Sequence, residues 1–125
     1  MIIQRSALDS ILLNNVCEVR FVRRGVKAGS SRTRRMFCTK SYSILQSTNG
    51  RLTLNYRPPT SPPQINEAAE NIINVWDIIM QDYRNISMTQ CDLIQQIPAN
   101  DEFWKFFNET IYPMSAEQKL NFMNT

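Results

Sequence analysis

Arginine is the residue type with the most chemical reach in this chain, and it is concentrated in one place. Residues 17–40 read CEVRFVRRGVKAGSSRTRRMFCTK and hold eight of the fourteen Lys and Arg, against one acid, Glu18. The candidates for holding an anion are Arg20, Arg23, Arg24, Lys27, Arg32, Arg34 and Arg35, joined by Lys40, Arg51 and Arg57. A guanidinium is a planar fork of donors that fits phosphate or carboxylate and stacks on flat rings, so the chemistry indicated is anion recognition. Phe21, Phe37, Tyr42 and Tyr56 are interleaved with these cations. Aromatic side chains on a small basic sheet are one way in which single-stranded nucleic acid is held. Alternation turns Phe21 towards the apolar side and makes it a core residue, whereas Phe37 shares a side with Arg35 and Thr39.

Catalysis has little to work with. The chain has no histidine, so the usual general base and activator of nucleophiles is missing. Asp77 and Asp82 could hold a metal together, but turn geometry and pairing with Arg84 explain them as well. The three glycines, Gly25, Gly29 and Gly50, fit no phosphate-loop fingerprint. Cys17, Cys38 and Cys91 are scattered, with no Cys-x-x-Cys pair, which argues against zinc and for reduced, buried thiols. The residues read as a non-enzymatic binding module with no cofactor and no metal.

Charge is divided along the chain. Residues 1–65 carry eleven Lys or Arg and two acids, a net +9, while residues 66–125 carry three and nine, a net −6. Either one face is aimed at a polyanion or an acidic protein, or the two halves neutralise each other within the fold or between copies. Residues 1–15 are too polar for a signal-peptide core, and no other run approaches bilayer length, so a soluble intracellular protein without a membrane partner is expected.

The elements that must position the arginines follow from periodicity. Residues 17–24 and 33–40 alternate apolar with basic and predict an antiparallel hairpin with a Gly- and Ser-rich loop at 25–32. Cys17, Val19 and Phe21 point one way, and the solvated side is expected to carry an arginine stripe. Before the hairpin, residues 6–13 predict a short amphipathic helix capped by Ser6. After it, residues 41–46 are ambiguous between helix and strand, residues 47–50 predict a turn, and residues 51–56 a short strand. Four prolines mark residues 57–66 as an exposed loop. Residues 67–71 predict a helical turn, residues 72–80 a buried strand, and residues 83–88 and 93–97 two further strands, ended by Pro98.

The last stretch changes character. Asn100 and Asp101 can cap a helix in which Phe103, Phe106, Phe107 and Thr110 share a face. Trp104 and the Phe107 edge are the candidate contacts to a protein partner. Pro113 stops this helix, and Ser115 with Gln118 has the spacing of a capping box for another.

One stretch carries a family resemblance. Residues 75–97, VWDIIMQDYRNISMTQCDLIQQI, resemble the closing strands of a small SH3-like barrel of tailed bacteriophages, with Trp76-Asp77 and Asp82-Tyr83-Arg84 at the matching positions. Residues 34–39 are similar to that family's Met-x-Cys-Thr strand after a basic hairpin. Asn55-Tyr56-Arg57-Pro-Pro and the Phe- and Trp-rich helix are similar to relatives in T4-like phages of cyanobacteria. The resemblance implies a mainly β fold, a small SH3-like barrel of five to six short antiparallel strands over residues 1–98, with a C-terminal helical appendage over residues 99–125. It also implies a phage protein acting in the cytoplasm of an infected bacterium or in the virion. The expectation is an accessory or regulatory protein that binds nucleic acid through the basic hairpin. The alternative is a module that binds an acidic host or viral protein or forms part of the virion. Exposed strand edges offer a route to a homo-oligomer.

Overall fold

A computed structural model of the chain describes residues 1–25, 32–58 and 66–124. Its centre is a five-stranded antiparallel sheet of β1 (Asn15–Val22), β2 (Thr33–Thr39), β3 (Ile72–Asp77), β4 (Asp82–Ser87) and β5 (Cys91–Pro98), in the order β4-β3-β2-β1-β5. The β1–β2 register sets Phe21 opposite Arg34 and Arg20 opposite Arg35. Residues opposite each other in an antiparallel pair share a face, so neighbouring arginines of β2 are sent to opposite sides.

Each face has its own core. On one, Val19, Phe21, Met36, Ile73 and Ile86 pack with Leu8 and Leu12 of α1 (Arg5–Leu12). On the other, Val16, Phe37, Trp76 and Ile78 pack with Phe103, Phe107 and Ile111. Phe103 lies in α5 (Asp101–Phe106), which Asn100 caps by accepting a hydrogen bond from the amide of Glu102. Phe107 and Ile111 continue it as a π-helical turn, Phe107–Ile111. The capping box of Ser115 and Gln118 opens α6 (Ala116–Met123), and Phe122 stacks on Phe37 at 5.2 Å with 9° between the rings.

The sheet is curled but open. β4 and β5 follow each other through residues 88–90 yet lie at opposite edges, which forces the edges together at that end. Val22 N–H donates to Gln90 C=O there at 3.3 Å. Among the described residues no ladder joins β4 to β5, so the closed barrel expected from the resemblance is not formed. β2 and β3 pair only at Cys38–Asp77 and Thr39–Trp76, so the sheet parts on the Thr33 side of β2.

Several elements differ from expectation. Residues 51–56 do not form a strand, because α3 (Thr48–Thr53), capped by the Ser47 hydroxyl, occupies the first half of that stretch. The expected turn at Ser47–Gly50 is thus a helix start, and Gly50 is needed for close approach rather than for positive φ. A Cβ there would lie 2.1 Å from the Ile44 carbonyl oxygen. The ambiguous stretch before it holds α2 (Tyr42–Leu45). α1 begins after Gln4, with no side-chain cap from Ser6. β3 ends at Asp77 rather than at Met80, because the Asp77 carboxylate accepts the amides of Ile79 and Met80, each at 3.0 Å, and folds the chain into a turn. The helical turn α4 (Glu67–Glu70) is where expected. The expected hairpin loop and proline loop fall mostly on residues 26–31 and 59–65, outside the described residues. Among the described residues, no helix is long and apolar enough to cross a membrane.

Candidate nucleic-acid interface

The expected arginine stripe is divided by the sheet, and one part of it becomes a site. Arg34 sits on the α1 face beside Phe21 and Met36, where the strands part. Arg84 arrives from β4, opposite Val75 and therefore on that same face. Arg23 and Arg24 follow β1 and close the end of the cleft, which has a volume of about 670 Å³. Phe21, Met36 and Ile72 make an apolar floor, while Asn66, Asn85 and Ser87 add polar groups to the walls.

Arg24 is a tie across the cleft. Its Nε donates to Ser87 Oγ at 3.2 Å, and its Nη2 donates to the Glu70 carbonyl, joining the hairpin to the corner between α4 and β3. The Glu70 carboxylate lies 3.9 Å from the same guanidinium, and both groups are well exposed. Glu70 is the acid of this cleft and is placed against Arg24.

Arg34 is the least compensated of the set. Its Nε is buried and has no hydrogen-bond partner among the described residues. Desolvation, and then the nearby Arg23 and Arg84, lower its pKa, against a smaller opposing effect of Asp77. A buried donor without an acceptor costs free energy, and like charges add to it. An anion entering the cleft would remove both penalties at once.

The other predicted cations lie elsewhere. Arg20 and Arg35 are on the opposite face. Arg35 pairs at 2.5 Å with Glu18, which is 2% exposed and also accepts from Gln95, and it stacks over Phe122 at 4.6 Å. Lys40 is half-buried between Asp9 at 2.8 Å and Glu67 at 3.1 Å. Burial pulls its pKa down, but hydrogen bonds to both carboxylates outweigh this and leave it above the usual value. Arg57 lies 3.8 Å from Asp82, and Arg51 is exposed on α3. Arg32 is exposed just before β2, and Lys27 lies outside the described residues.

The aromatic candidates divide in the same way. Tyr42 is exposed on α2, but Tyr56 is buried against Trp76 and its hydroxyl accepts from Tyr83. Tyr56 therefore offers no face to a base. Phe107 is buried in the core opposite α1, which removes it as a partner contact, while Trp104 stays partly exposed. Asp77 and Asp82 do meet as a cross-strand pair. Asp77 is spent on the turn amides, and Asp82 is engaged by the Tyr83 amide and by Arg84. Among the described residues, no group of three metal-ligating side chains is found.

Arg84 is the candidate residue least visible in the sequence. It lies outside the basic stretch, and its sequence neighbours mark it as a partner of Asp82 and as part of the Asp82-Tyr83-Arg84 motif. The alternation of β4, with Arg84 two residues before the fully buried Ile86, is the signal that puts it on the core face. Comparison with protein-family models, curated proteins and solved structures returns no match.

Proposed function

We propose that this chain is a non-enzymatic phage accessory protein that binds single-stranded nucleic acid, and that Arg23, Arg24, Arg34 and Arg84 form its contact. The observation that carries the reading is the buried, unpartnered Nε of Arg34 in a cleft lined by three further arginines and floored by apolar side chains. Guanidinium groups suit phosphate oxygens, and an apolar floor suits a base face. A duplex, with its bases stacked inside, could use only the rim. The phage origin and a relation to SH3-like barrels rest on the resemblance of residues 75–97. In favour of that relation are the four-strand meander, the return of β5 to β1 and the short β4–β5 link.

The test is fluorescence-anisotropy titration of single-stranded DNA, duplex DNA and RNA at near-physiological salt. Single strands should bind saturably. Replacing Arg23, Arg34 and Arg84 by Ala should abolish binding, while replacing Arg20, Arg35 and Arg51 should cost less than about threefold. Equal losses in the two triple variants would reduce the interaction to overall charge.

A further inference from the structure

We infer that the cleft is a pocket for one terminal phosphomonoester and the nucleotide that carries it, not a track for consecutive internal phosphates. The inference rests on the reading of the cleft as a nucleic-acid site and specifies which part of the strand enters it.

Three observations point this way. First, positive charge is gathered rather than spread. Arg23, Arg34 and Arg84 share one cleft, with Arg84 also bonded to Asp82, whereas several of the other described cations are engaged or turned away. Lys40 is held by two carboxylates, Arg57 lies near Asp82, and Arg20 and Arg35 are on the opposite face. Second, the Arg24 tie to Ser87 and to the Glu70 carbonyl bounds the cleft at one end. Third, the volume of about 670 Å³ falls within the range of roughly 300–1,000 Å³ typical of small-ligand sites. An internal phosphodiester brings one negative charge, while a phosphomonoester brings about 1.5 to 2 at neutral pH and three acceptor oxygens. Several guanidinium groups lining one cleft match the second better than the first.

The experiment uses the full chain and a short single-stranded DNA labelled at its 3′ end, prepared with a 5′-hydroxyl or a 5′-phosphate. Deoxyadenosine monophosphate, deoxyadenosine and inorganic phosphate serve as competitors. The inference expects the 5′-phosphate to tighten binding at least about tenfold, with the monophosphate competing well and the nucleoside and inorganic phosphate competing poorly. The gain should vanish in Arg34→Ala and Arg84→Ala, shrink in Arg34→Lys, which keeps the charge but loses the planar fork, and persist in Arg51→Ala. Thermal melts of each variant separate loss of binding from loss of fold.

Equal affinity for the two strands, with both still lost in Arg34→Ala, overturns the inference and leaves the single-strand reading standing. Binding of the monophosphate without binding of either strand supports the pocket and overturns the single-strand reading. No binding of strand or monophosphate overturns both.

Discussion

At the scale of single residues, several side chains are held in unfavourable settings. Arg34 is desolvated beside Arg23 and Arg84, so its contribution to stability is poor for so large a side chain. Arg34→Ala should therefore leave the melting temperature unchanged or raise it, while removing anion binding; a loss of several degrees would show that the guanidinium is structural. Asp77 is raised by burial, an effect opposed by the amides of Met80 and Ile79 and then by Arg84 and Arg34. A raised folded pKa means a contribution that is full below the ordinary 3.8 and lost as pH rises through the folded value. Asp77→Asn should flatten that acid-side dependence in denaturant titrations, while Asp77→Ala, which leaves two turn amides without an acceptor, should cost about 1–3 kcal/mol. Burial also pushes the Cys17 and Cys91 thiols up to about 12 and Cys38 well above its usual value. Their contribution is full below the ordinary 9.0 and is lost as pH climbs towards about 12. Iodoacetamide should leave the native thiols unlabelled near pH 8 and modify all three once the chain is unfolded.

At the scale of elements, periodicity was a good guide to strands and a poor one to their surroundings. The hairpin strands, the helical turn at 67–70 and the capping box at Ser115 were legible because each is specified by neighbours in sequence. Residues 51–56 were not, because alternating Leu52 and Leu54 mimic a strand. What decides for helix is the Ser47 cap and a site beneath Gly50 that accepts no side chain. Gly50→Ala should cost about 1–3 kcal/mol in denaturant melts, since the backbone of Ile44 and Leu45 must yield. The aromatic tail was legible as a helix but not as a cover. Phe103 is fully buried, so Phe103→Ala should cost about 3–5 kcal/mol. A cost below 1 kcal/mol would mean that the tail is not part of the fold.

At the scale of the molecule, basic and acidic halves neutralise each other in places and not in others. Lys40 meets Glu67, Arg57 lies near Asp82, and Arg24 meets Glu70, so much of the charge division is internal. The cleft, assembled from β2, β4 and the end of β1, holds Arg34, whose Nε has no hydrogen-bond partner among the described residues. Such a site depends on strand register, which local patterns do not encode; this is why Arg34 is legible in the sequence as an anion contact and Arg84 is not. The measurement that bears most directly on it is an NMR titration following the arginine Nε–Hε signals as unlabelled single-stranded DNA is added. The signals of Arg34 and Arg84 should shift and saturate together, while those of Arg20 and Arg35 stay in place. Saturating shifts at Arg20, Arg35 and Arg51, with Arg34 and Arg84 unmoved, would contradict this.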